Sequence, residues 1–378
     1  MKKYLLFFVL IISVFSCRND DDMFEEDNSQ TPEVPDVNNV LKGFYVINEG
    51  NMSMNKASLD YMDFETGEYK HERFRANNPT EVGGLGDVAN DIGIYGSKMY
   101  IVVNASNKVE VLDVKTGVRL KQINVDNCRY ITFYEGKAYL STYLGTIGDP
   151  NAPLGQVNEI DTTSLAITRK VDVGRQPEEL VAYDNKIYVA NSGGYSPPEY
   201  ESTISVIDIP SFTETKRIEV AKNLHRLKID SEGDLYVSSR GDYFETPSNF
   251  FVVDTKTDEV KKTFDLAVSN FTIHNDIAYI YSTEFSYFTG SFVISYNMLD
   301  TKTETVLDAS FIAEGNEDLI QTPYGIAINP ENEDIYITDA KDYFSPGDLY
   351  CFDSDGEFKW KVEMGDIPSK IQFVYQPE

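Results

Sequence analysis

From about residue 41 to the C-terminus the chain is a succession of short runs in which apolar and polar residues alternate, divided by polar turns and showing hardly any helical periodicity. One unit recurs along it. An apolar strand leads through a polar turn into Tyr, then β-branched residues, then Asn or Ser. Asp91-Ile92-Gly93-Ile94-Tyr95-Gly96 leads to Tyr100-Ile101-Val102-Val103-Asn104, and Tyr130-Ile131-Thr132-Phe133-Tyr134 leads to Tyr139-Leu140-Ser141. Further copies open at Leu180, Leu227, Phe271 and Gly325, which makes six. Each continues into an alternating strand that ends in Asp before a turn, such as Val109-Glu110-Val111-Leu112-Asp113 before Lys115-Thr116-Gly117, and then into a fourth strand such as Arg217-Ile218-Glu219-Val220.

Four short antiparallel strands repeated at roughly 40 to 55 residues are the signature of a propeller blade, and the strand alternation excludes helical arrays of similar period. The chain ends supply a seventh blade. Phe44-Tyr45-Val46-Ile47-Asn48 reads as a second strand lacking its first, followed by strands at Ser58 to Asp63 and Tyr69 to Phe74, and the missing innermost strand stands at the other end as Ser369 to Tyr375. The expected fold is therefore all-β, a seven-bladed β-propeller over residues 41–378 closed by strands from both termini, an arrangement that removes the open sheet edge.

With strands A to D counted outward from the axis, the B-to-C and D-to-A connections share one face, and the A-to-B and C-to-D turns share the other. The latter are terse, as at Glu65-Thr66-Gly67 and Asp355-Gly356. The acidic string Asp230-Ser231-Glu232-Gly233-Asp234 is one of them and lacks the twelve-residue calcium-loop pattern. The B-to-C connections, at 143–154, 192–202, 240–248, 283–291 and 340–347, are longer and carry Tyr143, Tyr195, Tyr200, Tyr243, Phe244, Phe285, Tyr287, Phe288, Tyr343 and Phe344. Aromatic side chains on loops either pack on their own loop or form a platform, and their recurrence on five successive loops favours a platform. Polar groups at strand ends of the same face, Asn48, Asn104, Asn191, Arg240 and Asp339, complete a ring suited to a large neutral ligand with amide or hydroxyl groups.

Composition narrows the function classes. Lys and Arg total 33 against 62 Asp and Glu, a net charge of −29, so no basic patch is expected and nucleic acid is excluded as a partner. His71, His225 and His274 lie on different blades without metal-ligand spacing, and no nucleophile elbow, phosphate loop or dinucleotide fingerprint is present. A binding protein is expected, with no catalytic residue, metal or resident cofactor. The single Trp360 argues against tryptophan-docked quinoprotein propellers. Cys128 and Cys351 sit in apolar stretches and read as buried small hydrophobes. At the N-terminus, Met1-Lys2-Lys3, the apolar run Tyr4 to Ile12 and Ser13-Val14-Phe15-Ser16-Cys17 form a lipoprotein signal peptide (1–17), with Cys17 as the lipidated residue and 18–40 as a flexible acidic tether.

The repeat Ile-x-x-x-x-x-Lys-x-Tyr-Val/Ile and the strand pattern Ser/Glu-Val-x-Asp resemble YncE-like surface propellers of Bacteroidetes over most of the chain from Leu41. The opening Phe44-Tyr45-Val46-Ile47-Asn48-Glu49-Gly50, the segment Gly84 to Ile92 and the acidic run after Cys17 look like the subgroup of surface cobalamin-capture lipoproteins. That resemblance implies an outer-membrane lipoprotein facing the cell exterior, which binds cobalamin (vitamin B12) or a related corrinoid as ligand and passes it to a TonB-dependent outer-membrane transporter. A corrin ring with peripheral amides fits the aromatic and polar ring just described. Two other readings stand beside it: an adhesion propeller that binds glycan or protein through the same face, and a lactonase- or lyase-like propeller with a metal in its axial channel.

Overall fold

The computed structural model describes residues 39–145, 149, 151–195, 197–286 and 291–377. Cys17, the signal peptide, Tyr287 and Phe288 lie outside them. Among the described residues, seven four-stranded antiparallel sheets account for almost the whole chain, with one short helix at Arg73–Asn77 and one 3-10 turn at Glu317–Leu319. The sheets are the blades of the expected seven-bladed β-propeller. Blade 1 is ordered Pro368–Pro377, Asn39–Asn48, Ser58–Asp63, Tyr69–Lys70, so its innermost strand comes from the C-terminus and the rest from the N-terminus. Blades 2 to 7 follow in chain order, their inner strands being Ala89–Tyr95, Cys128–Tyr134, Pro177–Tyr183, Leu224–Ile229, Asn270–His274 and Pro323–Ile328.

The recurring tyrosine of the second strand explains why the repeat holds together. Tyr100, Tyr139, Tyr188 and Tyr236 are among the largest fully buried side chains, each placed where two blades meet. Tyr188 Oη donates to the carbonyl of Thr255 at 3.1 Å and Tyr236 Oη to that of Thr301 at 3.0 Å, so each hydroxyl reaches a turn of the following blade. Tyr45 repeats the contact from blade 1 to the Val114 carbonyl at 3.2 Å. The rings fill the wedge between blades: Phe44 against Tyr336 at 4.9 Å between centroids, Tyr100 against Phe133 at 5.2 Å, Phe250 against Phe271 at 4.8 Å. At Tyr45, Tyr188 and Tyr236 the ring contributes apolar area while its one polar atom is satisfied, whereas the buried Tyr100 hydroxyl has no partner. Cys128 and Cys351 are buried free thiols in the same interfaces, and burial pushes both up to about 12, leaving them unreactive.

A second regularity bears directly on the axis. In six of the seven inner strands the register slips by one residue near the strand start: between Ala89 and Asp91, Cys128 and Ile131, Pro177 and Leu180, Leu224 and Leu227, Pro323 and Ile326, and Ile371 and Pro368. A bulge of this kind places two residues opposite one and re-aims their side chains. The dipeptides so treated are Arg129-Tyr130, Glu178-Glu179, His225-Arg226, Tyr324-Gly325 and Ser369-Lys370, with Asn90 as the extra residue of blade 2.

Gly325 occupies such a bulge because nothing larger fits: a Cβ there would stand 1.7 Å from the Ser369 carbonyl oxygen of the closing strand. Gly325→Ala is therefore expected to force blades 7 and 1 apart and to lower stability by about 1–3 kcal/mol. Denaturant unfolding monitored by tyrosine fluorescence checks this, the expected signature being a lower midpoint.

Candidate functional site

The bulged dipeptides converge at the end of the axis that opens on the long-loop face. Arg129 Nη2 meets the Glu178 carboxylate at 2.7 Å, and Arg129 also binds the Asn90 side chain. Glu178 accepts from Tyr143 Oη at 2.6 Å and lies 3.5 Å from Arg240 Nη1. Arg240 Nη2 donates to His225 Nε2 at 2.8 Å, and the Tyr130 hydroxyl stands 3.3 Å from the same nitrogen. Tyr130 belongs to blade 3 and His225 to blade 5, so this contact spans the axis. Lower on the inner strands, Lys228 pairs with Glu179 at 2.6 Å and Lys370 pairs with Asp91. Asp91 and Glu179 also accept the Ile131 and Leu227 backbone N–H, each at 2.9 Å, and so staple one inner strand to the next. At the mouth, Tyr324 Oη reaches Glu49 at 3.3 Å, and Tyr343 packs edge-on against Tyr324 at 5.9 Å.

The electrostatics of this well differ from those of the surface around it. Five cations, Arg129, Arg226, Lys228, Arg240 and Lys370, face the carboxylates Glu49, Asp91, Glu178 and Glu179. Burial alone would raise the Glu178 carboxyl, but Arg129, Arg240 and the Tyr143 hydroxyl outweigh it and hold the group at about 2. Burial drives Glu49 the other way, up to about 7, with Arg129 and Arg226 only partly opposing it. His225 is pushed well below its ordinary value by burial and by the charges of Arg240, Arg226 and Arg129, so its ring is neutral and accepts from Arg240. Among the described residues no group of three or more His, Cys, Asp and Glu side chains could hold a metal ion.

The described residues expected from the sequence divide into four sets. Tyr143 and Arg240 belong to the axial cluster, Tyr143 buried beneath Tyr195 with their rings 6.0 Å apart. Tyr195, Tyr243, Phe244, Tyr343 and Phe344 stand exposed on the long-loop face, Phe244 at 83% and Phe344 at 75%. Phe285 lies on the strand Ile277–Ser286, whose hairpin with Ser291–Asp300 is longer than that of any other blade and presents Phe292 and Val293. The polar strand-end ring is corrected: Asn48, Asn104, Asn191 and Asp339 are buried and bond within their own blade or to the next one, although Asn48 Oδ1 and Asn191 Oδ1 have no partner. Asn48 donates to Ser58 and Asp60, Asn104 to the Cys128 carbonyl and Asn191 to Thr203 and Ser205, while Asp339 accepts from the backbone of Gln321, Thr322 and Lys341. Their common position marks a structural staple rather than a converging rim. Arg129, Glu178, Arg226, Glu49 and Tyr324 were missed as site residues. For all but Glu49, which follows the strand Asn39–Asn48, the signal is the pair right after the first residue of each inner strand, which period-two reading assigns to opposite faces and the bulge brings together. A cavity of about 270 Å³ lined by Lys42, Tyr61, Lys70, Arg73 and Lys115 lies at the short-turn face, away from this cluster.

A family profile, described as a domain of unknown function (DUF5074), matches residues 42–374. The chain belongs to the DUF5074 family. A search of curated proteins finds no match. Among solved structures, this DUF5074 protein is similar to a quinonprotein alcohol dehydrogenase-like protein from Bacteroides thetaiotaomicron, with 17% identity, a TM-score of 0.59, and coverage of 89% of this chain and 79% of that one. It is similar to hydrazine synthase of Kuenenia stuttgartiensis at 14% identity and a TM-score of 0.61, covering 77% and 95% of the two chains. Apo AztD from Citrobacter koseri matches at 12% identity and a TM-score of 0.52, covering 89% and 99%. At these identities the likeness shows the propeller fold and carries no activity across.

Two outcomes follow from the axial charges. An unfolded carboxyl titrates near 4.5, so the raised Glu49 group favours folding fully below that pH, and the contribution is lost as pH rises through about 7. Glu49→Gln, which keeps the neutral form, is expected to melt above the parent at pH 8.5 by an amount on the order of 1–3 kcal/mol and to match it at pH 4. Arg129→Met leaves the Glu178 carboxylate buried with weakened pairing, and a loss of about 3–5 kcal/mol at pH 7 is expected. Thermal melts of both variants across the pH range measure these differences.

Proposed function

We propose that this DUF5074 propeller is a ligand-capture protein of the outer membrane, anchored through Cys17 and binding cobalamin or a related corrinoid on its long-loop face. The observation that carries the reading is the pairing of exposed aromatic rings with a polar well on one face. Tyr195, Tyr243, Phe244, Tyr343 and Phe344 remain accessible around a mouth whose floor offers Arg240, Tyr324 and Glu49. Exposed aromatic area of this extent is costly in water and is recovered when a broad, flat ligand covers it. The peripheral amides of a corrin would exchange hydrogen bonds with the tyrosine hydroxyls and the Arg240 guanidinium. No axial histidine is free for cobalt, since His225 Nε2 is occupied by Arg240 and Tyr130, so recognition would rest on shape and hydrogen bonding. A ring closed on itself changes little on binding, which limits the ordering cost and favours a low dissociation rate. Handover to a TonB-dependent transporter completes the proposal.

Titration of the full chain with cyanocobalamin, followed by heat and by the visible corrin spectrum, tests it. One-to-one binding is expected, weakened at least about tenfold in the Tyr243→Ala/Phe244→Ala double variant. Absence of binding at about 50 μM ligand contradicts the corrinoid assignment, and a hit on a carbohydrate array would then favour a glycan ligand on the same face.

A further inference from the structure

The cations of the axial well are not equally served. Arg129 and Arg240 share Glu178, Lys228 has Glu179, and Lys370 has Asp91. Arg226 has none: among the described residues no carboxylate oxygen lies within 4.0 Å of its guanidinium, whose recorded neighbour is the face of Tyr130 at 5.2 Å. Its Nε is enclosed and without a hydrogen-bond partner, and so is the Nε of Arg129. An orphaned donor on a cation inside a protein is expensive, and native structures rarely keep one unless something arrives to meet it. The groups around the gap are the neutral His225 ring, the hydroxyls of Tyr130, Tyr281 and Tyr324, and two carboxylates, Glu49 and Glu179, which act on Arg226 electrostatically yet lie beyond ion-pair distance of it.

We propose that this gap is an oxyanion site, in which Arg226 grips a carboxylate or phosphate group with the Tyr130 and Tyr324 hydroxyls as further donors. A guanidinium fork matches two oxygens of one such group, which a water molecule or a neutral amide would not neutralise. The site lies on the axis, and the mouth above it opens on the aromatic face, so the group arrives either as a free small anion or as the anionic end of a larger ligand. It stands independently of the corrinoid reading, because it rests on Arg226 and not on the rim. An acidic protein of net charge −29 that keeps an unpaired arginine at its centre discriminates by position: anions are repelled by the surface and retained only in the well.

Titration of the full chain with inorganic phosphate and, separately, with succinate, in chloride-free buffer of low ionic strength, tests the site. Saturable one-to-one binding of at least one probe is expected, weakened at least about tenfold by Arg226→Met. Phosphate alone, succinate alone, or both identify which oxyanion chemistry the well accepts. Without anion, Arg226→Met is expected to melt no lower than the parent, since it removes a charge that has no carboxylate partner. Arg73→Gln, in the cavity of the opposite face, is expected to bind as the parent does. The proposal is overturned by absence of binding of both probes at about 10 mM. It is also overturned by undiminished binding in Arg226→Met, by loss of binding in Arg73→Gln instead, or by a marked fall in the anion-free melting temperature of Arg226→Met, which would make the arginine structural.

Discussion

Everything at the axis depends on the ladder between the two ends of the chain. Pro368–Pro377 and Asn39–Asn48 run antiparallel from Asn39 opposite Pro377 to Asn48 opposite Pro368, and until they pair the propeller has two open edges and no fixed centre. The ladder also delivers chemistry. Its bulge carries Ser369 and Lys370, of which Lys370 closes on Asp91 of blade 2, while the chain leaving Asn48 carries Glu49 to Tyr324 of blade 7. Because the ladder joins residues more than 300 positions apart, closing it carries a larger loop-closure entropy cost than the local hairpins of the other blades do.

Closing seven blades around one axis crowds seven strand starts together, and the chain answers with bulges and charges rather than with apolar packing. The tyrosine rings of the second strands hold the blades in pairs, and the inner-strand carboxylates Asp91 and Glu179 staple them by accepting backbone N–H groups from the next blade. What remains at the mouth is a set of unequal partners: Glu178 oversupplied with cations, Glu49 raised to about 7 by burial, and Arg226 with no carboxylate within ion-pair distance among the described residues. Strain of this electrostatic kind is characteristic of sites that exist for something else to occupy.

The blade count, the strand order and the closure were all legible in the sequence, because each rests on a period that repeats: Tyr then Ile or Val in the second strand, Asp at the end of the third. The aromatic loops were legible for the same reason, and Tyr243, Phe244, Tyr343 and Phe344 stand exposed. The polar residues were not, and the failure has a physical cause. Asn48, Asn104 and Asn191 recur at one strand end, which looks like convergence on a ligand, yet a buried amide that ties a second strand to its third strand (Asn48, Asn191) or to the next blade (Asn104) must recur at that same place. Conversely, Arg129-Tyr130, Glu178-Glu179 and His225-Arg226 look like ordinary strand starts until a one-residue slip turns both members of each pair toward other blades.

Hydrogen exchange on the full chain, read with and without bound ligand, tests most directly whether the long-loop face and its well are the working part of the molecule. Protection is expected to rise in the segments 240–248, 320–326 and 340–347 and at the inner-strand starts around Arg129 and Arg226, with the short-turn face unchanged. Protection confined to the short-turn cavity around Lys42, Tyr61, Lys70 and Lys115 would contradict the account and place the site at the other end of the axis.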